Sequence, residues 1–409
     1  MSSGSNVDNF FRQVLPNGLK VIFEKRDIPT VSVIAATQFG SAYESEKVKG
    51  LAHLIEHTAF KRTKTKNTEQ INSMVEKKGG EINAFTSEEI TAFYAKIKAE
   101  HFEIAMDVVS DVMMNPVFLK KDIDMEKKVI LEEIKLYKDS PRKHVLTKLH
   151  EQLYASPFGM STLGTPESIK SLTKATIQKY HNVFYNPSNI TLAVVGKADV
   201  DKIWNFSKKD FAKKNVQKQI DKMGKMAIQP GPFGNYVEKR KGIDQVHAAI
   251  GYTIPGLKDP NRYAAEIMNV MLGVGSSSRL HMQIRENKGL AYQVNSFINQ
   301  GMNYGNGCIY LGTDKNKYNS AIKLAIAELK KMKKVEQKDV EEAKEQLIGQ
   351  YALENEDTEK TALGLLKYEI EGDAKNYYQY AERIAAVKFE DVRTVADITK
   401  MATALIIPE

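Results

Sequence analysis

The chain repeats one plan twice, and that duplication constrains its fold more than any other feature. Residues 167–180, "ESIKSLTKATIQKY", correspond to residues 382–395, "ERIAAVKFEDVRTV". Glu167 aligns with Glu382, Ile169 with Ile384, Leu172 with Val387 and Ile177 with Val392. A strand-like apolar run follows each, "NITLAVVG" (189–196) and "ATALIIPE" (402–409). The openings correspond too: "TVSVIAATQFGSAYE" (30–44) and "QVHAAIGYTIPGLKDP" (245–260) are both β-rich runs leading towards a helix. Three matches in one order argue for an internal repeat. Between the halves, Pro230, Gly231, Pro232 and Gly234 interrupt helix and strand alike. The predicted organisation is a first domain over 1–220, a linker over 221–236 and a homologous second domain over 237–409.

Within each half, "LKVIFEK" (19–25) and "AFYAKIKAE" (92–100) alternate as half-buried strands do. The runs 101–115, 122–138, 262–272 and 338–352 carry helical spacing instead. Strands mixed with paired helices, without regular βαβ alternation, predict an α+β class: two homologous domains, each a mostly antiparallel sheet with helices packed on one face.

Several function classes drop out. No apolar run approaches the ~20 residues that span a bilayer, so no membrane association is expected. The polar N-terminus lacks a signal-peptide layout, and the single cysteine, Cys308, allows no intrachain disulfide. Together these predict a cytoplasmic protein. The net charge is +8, with basic clusters such as "KRTKTK" (61–66). Those lysines are interleaved with acids and lack the aromatics and arginines of a base-stacking surface. They read as solvated helix faces, and no nucleic-acid partner is expected.

The chemistry concentrates in "HLIEHTAF" (53–60), which holds two of the 8 histidines four residues apart. On a helix, His53, Glu56 and His57 fall within one ~100° arc. Two imidazoles then converge, as a zinc ion requires, and catalytic zinc sites keep one position open for water. Glu56 lies beside such an ion without needing to bind it, and is free to move protons. The order H-x-x-E-H is the inverse of H-E-x-x-H. A third ligand is needed. The helical run 122–138 offers Glu126 and Glu133, seven apart on one face, with Glu132 pointing elsewhere and Val129, Ile130 and Ile134 packing.

These motifs resemble the pitrilysin/insulinase family of zinc metallopeptidases. The resemblance is to its two-domain type, as in mitochondrial processing peptidase and its bacterial and archaeal relatives. The family pattern is a glycine-led G-L-A-H-L-x-E-H helix followed by E-x6-E on a later helix, and both occur here. The resemblance implies one zinc per chain, with His53, His57 and Glu133 as ligands and Glu56 as general base. It also implies that Glu126 orients His57. "LPNGLKVIFEK" (15–25) resembles the family's opening strand. "GGEINAFTSEEITAFYAKI" (79–97) resembles the strand beside the active site, whose Asn83 and Ala84 fall where the substrate backbone pairs. The second half lacks H-x-x-E-H. Its "RENKGLAY" (285–292) resembles the family's R-x6-Y element, so Arg285 and Tyr292 are implied to bind the substrate carbonyl. The implied function is a zinc endopeptidase acting on peptides or unfolded segments inside a chamber. The implied assembly is a homodimer, with a related chain as the alternative partner. Two further readings are a non-catalytic assembly subunit and a specialised processing peptidase.

Overall fold

The computed structural model describes residues 9–212, 226 and 228–409. It divides into two compact units, each α+β and each built around one sheet. The first unit takes the residues up to Ile134, those from Ser161, and a later segment, Leu353–Tyr378. Its strands are β1 (Phe10–Val14), β2 (Lys20–Lys25), β3 (Thr30–Thr37), β4 (Glu81–Thr86), β5 (Thr91–Lys98) and β6 (Ile190–Gly196). They lie in the order β1-β2-β6-β3-β5-β4. Every pairing is antiparallel except β2 with β6. Among the described residues, β4 is an edge strand, paired only with β5.

The core lies on one face of this sheet. Val31, Val33 and Ala35 of β3 pack there with Val21, Phe23, Leu192 and Val194. They meet the helices α1 (Leu51–Ala59), α2 (Thr68–Glu76) and α3 (Phe102–Met114). A further helix, α4 (Lys120–Asp139), follows α3 and contributes Ile123 and Ile130 to the same core. The other sheet face is covered as well. The helix Thr358–Glu371 packs on β3 and β6, and the Ser32 and Thr358 hydroxyls lie 2.8 Å apart. Arg12 forms a two-pronged ion pair with the fully buried Glu369, at 2.8 and 2.7 Å. Tyr378 donates to Glu24, and Lys96 pairs with Asp357 at 2.6 Å. This second cover explains one difference from expectation. "LKVIFEK" reads as half-buried, yet Val21, Ile22, Phe23 and Glu24 of β2 are all buried. A strand covered on both faces carries near-continuous apolar sequence.

The second unit takes Lys135–Met160, the residues from Ile228 to Ala352, and Gln379–Glu409. Its strands β7 (Asn235–Arg240), β8 (Val246–Thr253), β9 (Gln293–Gly301), β10 (Tyr304–Thr313) and β11 (Met401–Pro408) lie in the order β7-β11-β8-β10-β9. The helix α5 (Pro141–Leu153) packs on β8 and β11. Gly251 permits that approach: a Cβ there would meet Leu153 Cδ1 at 2.8 Å and Leu149 Cδ1 at 3.0 Å. Each half of the chain thus supplies one helix to the sheet of the other half. Two continuous domains, 1–220 and 237–409, do not describe this arrangement.

Residues 221–225 and 227 of the expected linker lie outside the described residues. The part from 228 onward is tied to the end of α5. Gly231 N donates to Leu153 O at 2.8 Å and Phe233 N to Gln152 O at 3.0 Å.

The repeat is visible in three dimensions. Helices Pro166–Ser171 and Lys174–Phe184 lead into β6, as Tyr380–Ala386 and Phe389–Val395 lead into β11. Ile169, Ile177, Ile384 and Val392 are fully buried. The edge strands correspond as well. β4 and β9 each end a sheet and pair with the next strand in the chain. Ile82-Asn83-Ala84-Phe85 matches Val294-Asn295-Ser296-Phe297. Gly79 and Gly289, at φ 73 and 54, precede these strands in the left-handed conformation that glycine adopts without strain. The second half is two residues longer between glycine and strand, and Tyr292 lies in that longer connection.

Candidate metal centre

α1 is anchored before it is functional. Its preceding residue, Gly50, has φ 86, and a Cβ there would meet Leu163 O at 2.5 Å, so only glycine fits. The buried Glu44 carboxylate accepts from Gly50 N at 2.9 Å and Ala52 N at 2.6 Å. These amides are helix-start donors that no intrahelical carbonyl can satisfy. A carboxylate also suits the positive end of the helix dipole. The buried Lys49 beside it donates to Ser41 O at 2.8 Å. Leu51, Ala52, Leu54, Ile55 and Ala59 enter the core, which turns His53, Glu56 and His57 outward on one face.

His53 Nε2 and His57 Nε2 lie 3.2 Å apart. Glu133 Oε2, from α4, lies 3.7 Å from the first and 3.9 Å from the second. All three ligand atoms fall within 4.8 Å of one another. Ligands held tetrahedrally about zinc at ~2.0–2.1 Å sit roughly 3.4 Å apart, so the triangle fits one such ion. Glu132, one residue away, is exposed.

The electrostatics suit metal binding. His53 is pushed down to about 3 by burial and by the neighbouring His57, which keeps it neutral with a lone pair to offer. His57 Nδ1–H donates to Glu126 Oε2 at 3.0 Å, leaving Nε2 to the triangle. Burial opposes charge on His57, but that bond and the carboxylates of Glu56, Glu126 and Glu133 raise its pKa overall. Glu126 is itself buried and receives Lys61 Nζ at 2.7 Å. Burial works to raise its pKa, yet the His57 and Lys61 bonds lower it on balance. Glu56 stands outside the triangle and accepts from Thr86 Oγ1. Burial, with Glu133 adding to it, raises the Glu56 pKa against the opposing effects of Thr86 and His57.

The remaining predicted residues lie elsewhere. Asn83 and Ala84 sit on the edge strand β4, and Ala84 N donates to Asn83 Oδ1 at 2.8 Å. Arg285 and Tyr292 belong to the second unit. Arg285 lies in the last turn of the short helix His281–Glu286 and has Glu286 Oε1 at 3.8 Å. Tyr292 is 58% exposed and donates to Asp314 Oδ1 at 3.0 Å.

Two residue groups differ from expectation. Val129 does not pack: it is 45% exposed, while Ile130 on the adjoining face is fully buried. The "KRTKTK" cluster is no simple solvated face. Lys61 pairs with Glu126, Arg62 Nε reaches Asp122 Oδ2 at 2.7 Å, and Lys66 Nζ lies 3.0 Å from Asp107 and 3.1 Å from Asp111. These cations fasten the segment after α1 to α3 and α4. Their acidic partners stand on distant helices, so the local charge pattern could not reveal them. Thr86 was also missed, although it shares a strand face with Ala84 by simple alternation.

A profile described as insulinase, peptidase family M16, matches residues 20–166, and one described as the M16 inactive domain matches 171–347. The uncharacterised zinc protease YmxG of Bacillus subtilis is 31% identical over 398 residues, covering 94% of both chains. The chain belongs to the insulinase family, M16. An uncharacterised zinc protease of Rickettsia felis is similar at 29% identity, over 95% of this chain and 92% of its own. The M16 fold is matched by the crystal structure of a protease from Helicobacter pylori, with TM-score 0.91 at 23% identity, covering 98% and 99% of the two chains. The division into one domain with H-x-x-E-H and one without agrees with the M16 profile description of the second as inactive. Among the described residues, no helix is long and apolar enough to cross a membrane.

Proposed function

We propose that this chain is a zinc-dependent endopeptidase acting on peptides or unfolded segments. The observation that carries the reading is the convergence of His53, His57 and Glu133 on one point, with Glu56 beside them and outside the triangle. Zinc held by these three groups would supply a Lewis acid for water and for the scissile carbonyl. Glu56 takes the proton of the attacking water and returns it to the leaving amine. The open edge of β4, at Asn83 and Ala84, receives the substrate backbone as an added strand. Arg285 and Tyr292 donate to the substrate carbonyl as negative charge develops. The exposure of the Tyr292 ring supports this role.

The same reading includes one zinc per chain, a cytoplasmic location and a homodimer that encloses the peptide. A heterodimer with a related chain is its nearest variant. The test is elemental analysis of the purified protein together with cleavage of an internally quenched peptide. One zinc per chain with chelator-sensitive cleavage supports the reading. A chain that binds zinc and cleaves no peptide is an assembly subunit instead.

A further inference from the structure

We propose that Thr86 is a positioning residue for Glu56, locking the proton acceptor to the strand on which the substrate lies. The proposal rests on the peptidase reading above. Glu56 comes from α1 and Thr86 from the edge strand β4, 30 positions later. Their side chains meet through one hydrogen bond, from Thr86 Oγ1 to Glu56 Oε2.

The direction of that bond follows from its surroundings. Thr91, opposite Thr86 on β5, has its hydroxyl 3.4 Å from that of Thr86. The buried Thr91 hydroxyl donates to Phe39 O at 2.7 Å, so towards Thr86 its oxygen can only accept. Glu56 Oε2 is by far the nearer acceptor for the Thr86 proton, and an ionised carboxylate is the stronger one. A β-branched side chain on a strand has few χ1 choices, so the hydroxyl is held in place.

The consequence is a division of labour within one carboxylate. Oε2 is tied to Thr86, which leaves Oε1 to receive a proton. The same six-residue strand carries Asn83 and Ala84. A peptide added to the edge of β4 is therefore registered on the element that also holds the base. Proton transfer requires the base within hydrogen-bond reach of its proton, and a misplacement of about 1 Å can cost on the order of 10²-fold. A residue that only packed α1 on β4 would alter stability or zinc content. It would not alter turnover at constant substrate affinity.

Thr86→Val keeps the shape and removes the hydroxyl, whereas Thr86→Ser keeps the hydroxyl. Thr86→Val should lower kcat about 10- to 100-fold, with KM within roughly twofold and zinc content unchanged. Thr86→Ser should recover most of that loss. In a Glu56→Gln background, Thr86→Val should reduce kcat no further. Urea unfolding of the metal-free protein reads the bond without activity, in a cycle of wild type, Thr86→Val, Glu56→Ala and the double variant, where the single effects should not add. Wild-type kcat in Thr86→Val, a Thr86→Ser variant as slow as Thr86→Val, or an additive unfolding cycle overturns the proposal. If wild-type protein binds zinc and cleaves no peptide, the peptidase reading fails by itself. The unfolding cycle then decides alone whether Thr86 holds Glu56.

Discussion

Glu126 Oε2 lies 3.0 Å from His57 Nδ1, across 69 positions of sequence, and this contact sets which ring nitrogen His57 offers to a metal. With Nδ1 carrying the proton, Nε2 points its lone pair at His53 Nε2 and Glu133. Lys61, on the other Glu126 oxygen, keeps that carboxylate ionised and in place.

Glu126→Gln should therefore weaken zinc binding without abolishing it. Loss of a partner that orients a metal-binding histidine costs ~10–100-fold in affinity or activity. Competition against a chromophoric chelator measures this. Wild-type affinity in the variant would show that His57 needs no such support.

Glu133→Gln should lower zinc retention severely, while Glu132→Gln should leave it intact. Adjacent helix residues differ by ~100°, and only Glu133 reaches the two imidazoles. Equal zinc loss in both variants, by elemental analysis after dialysis, would contradict the α4 geometry.

Glu56→Gln should retain zinc and lose peptide hydrolysis. A positioned proton acceptor contributes about 10²–10⁴-fold, so the rate should fall by at least the lower figure. Near wild-type turnover would exclude Glu56 as the base.

Arg285→Ala and Tyr292→Phe should keep zinc and fold yet depress cleavage. Removing one donor to a developing oxyanion costs roughly 2.7–4 kcal/mol in well-measured cases. Steady-state kinetics separate the two variants: an effect of Arg285 confined to KM would indicate binding rather than turnover. Full activity in both would remove the second unit from the chemistry.

Asp111 should govern part of the acid sensitivity. Burial acts to raise its pKa, but bonds from Thr63, Thr65 and Lys66 outweigh it and the pKa falls below the usual carboxylate value. A carboxylate with a depressed folded pKa stabilises the fold above its unfolded pKa of about 3.9, and that stability is lost as pH falls through the folded value. Asp111→Ala should cost about 2–3 kcal/mol at neutral pH, from lost charged hydrogen bonds. It should also flatten the decline in stability below about pH 4. Urea unfolding at several pH values tests both, and an unchanged acid limb would contradict the assignment.

Much of the candidate centre was legible in the chain because its geometry is local. His53 and His57 share a helix face through the 3.6-residue period, and Glu126 and Glu133 share another through a spacing of seven. The duplication was legible for a similar reason, since Ile169, Ile177, Ile384 and Val392 repeat a burial pattern within short segments.

Only the tertiary structure decided what those local faces meet. It joined Glu56 to Thr86, Glu126 to Lys61, and Arg12 to Glu369 across 357 positions. It also covered the second face of the first sheet, at β3 and β6, with a helix from the far half of the chain, and left Val129 exposed on a helix that reads as amphipathic. The physical reason is that periodicity records which side of an element is apolar. The partner that covers that side, or pairs with a charge on it, is set by packing between segments distant in sequence.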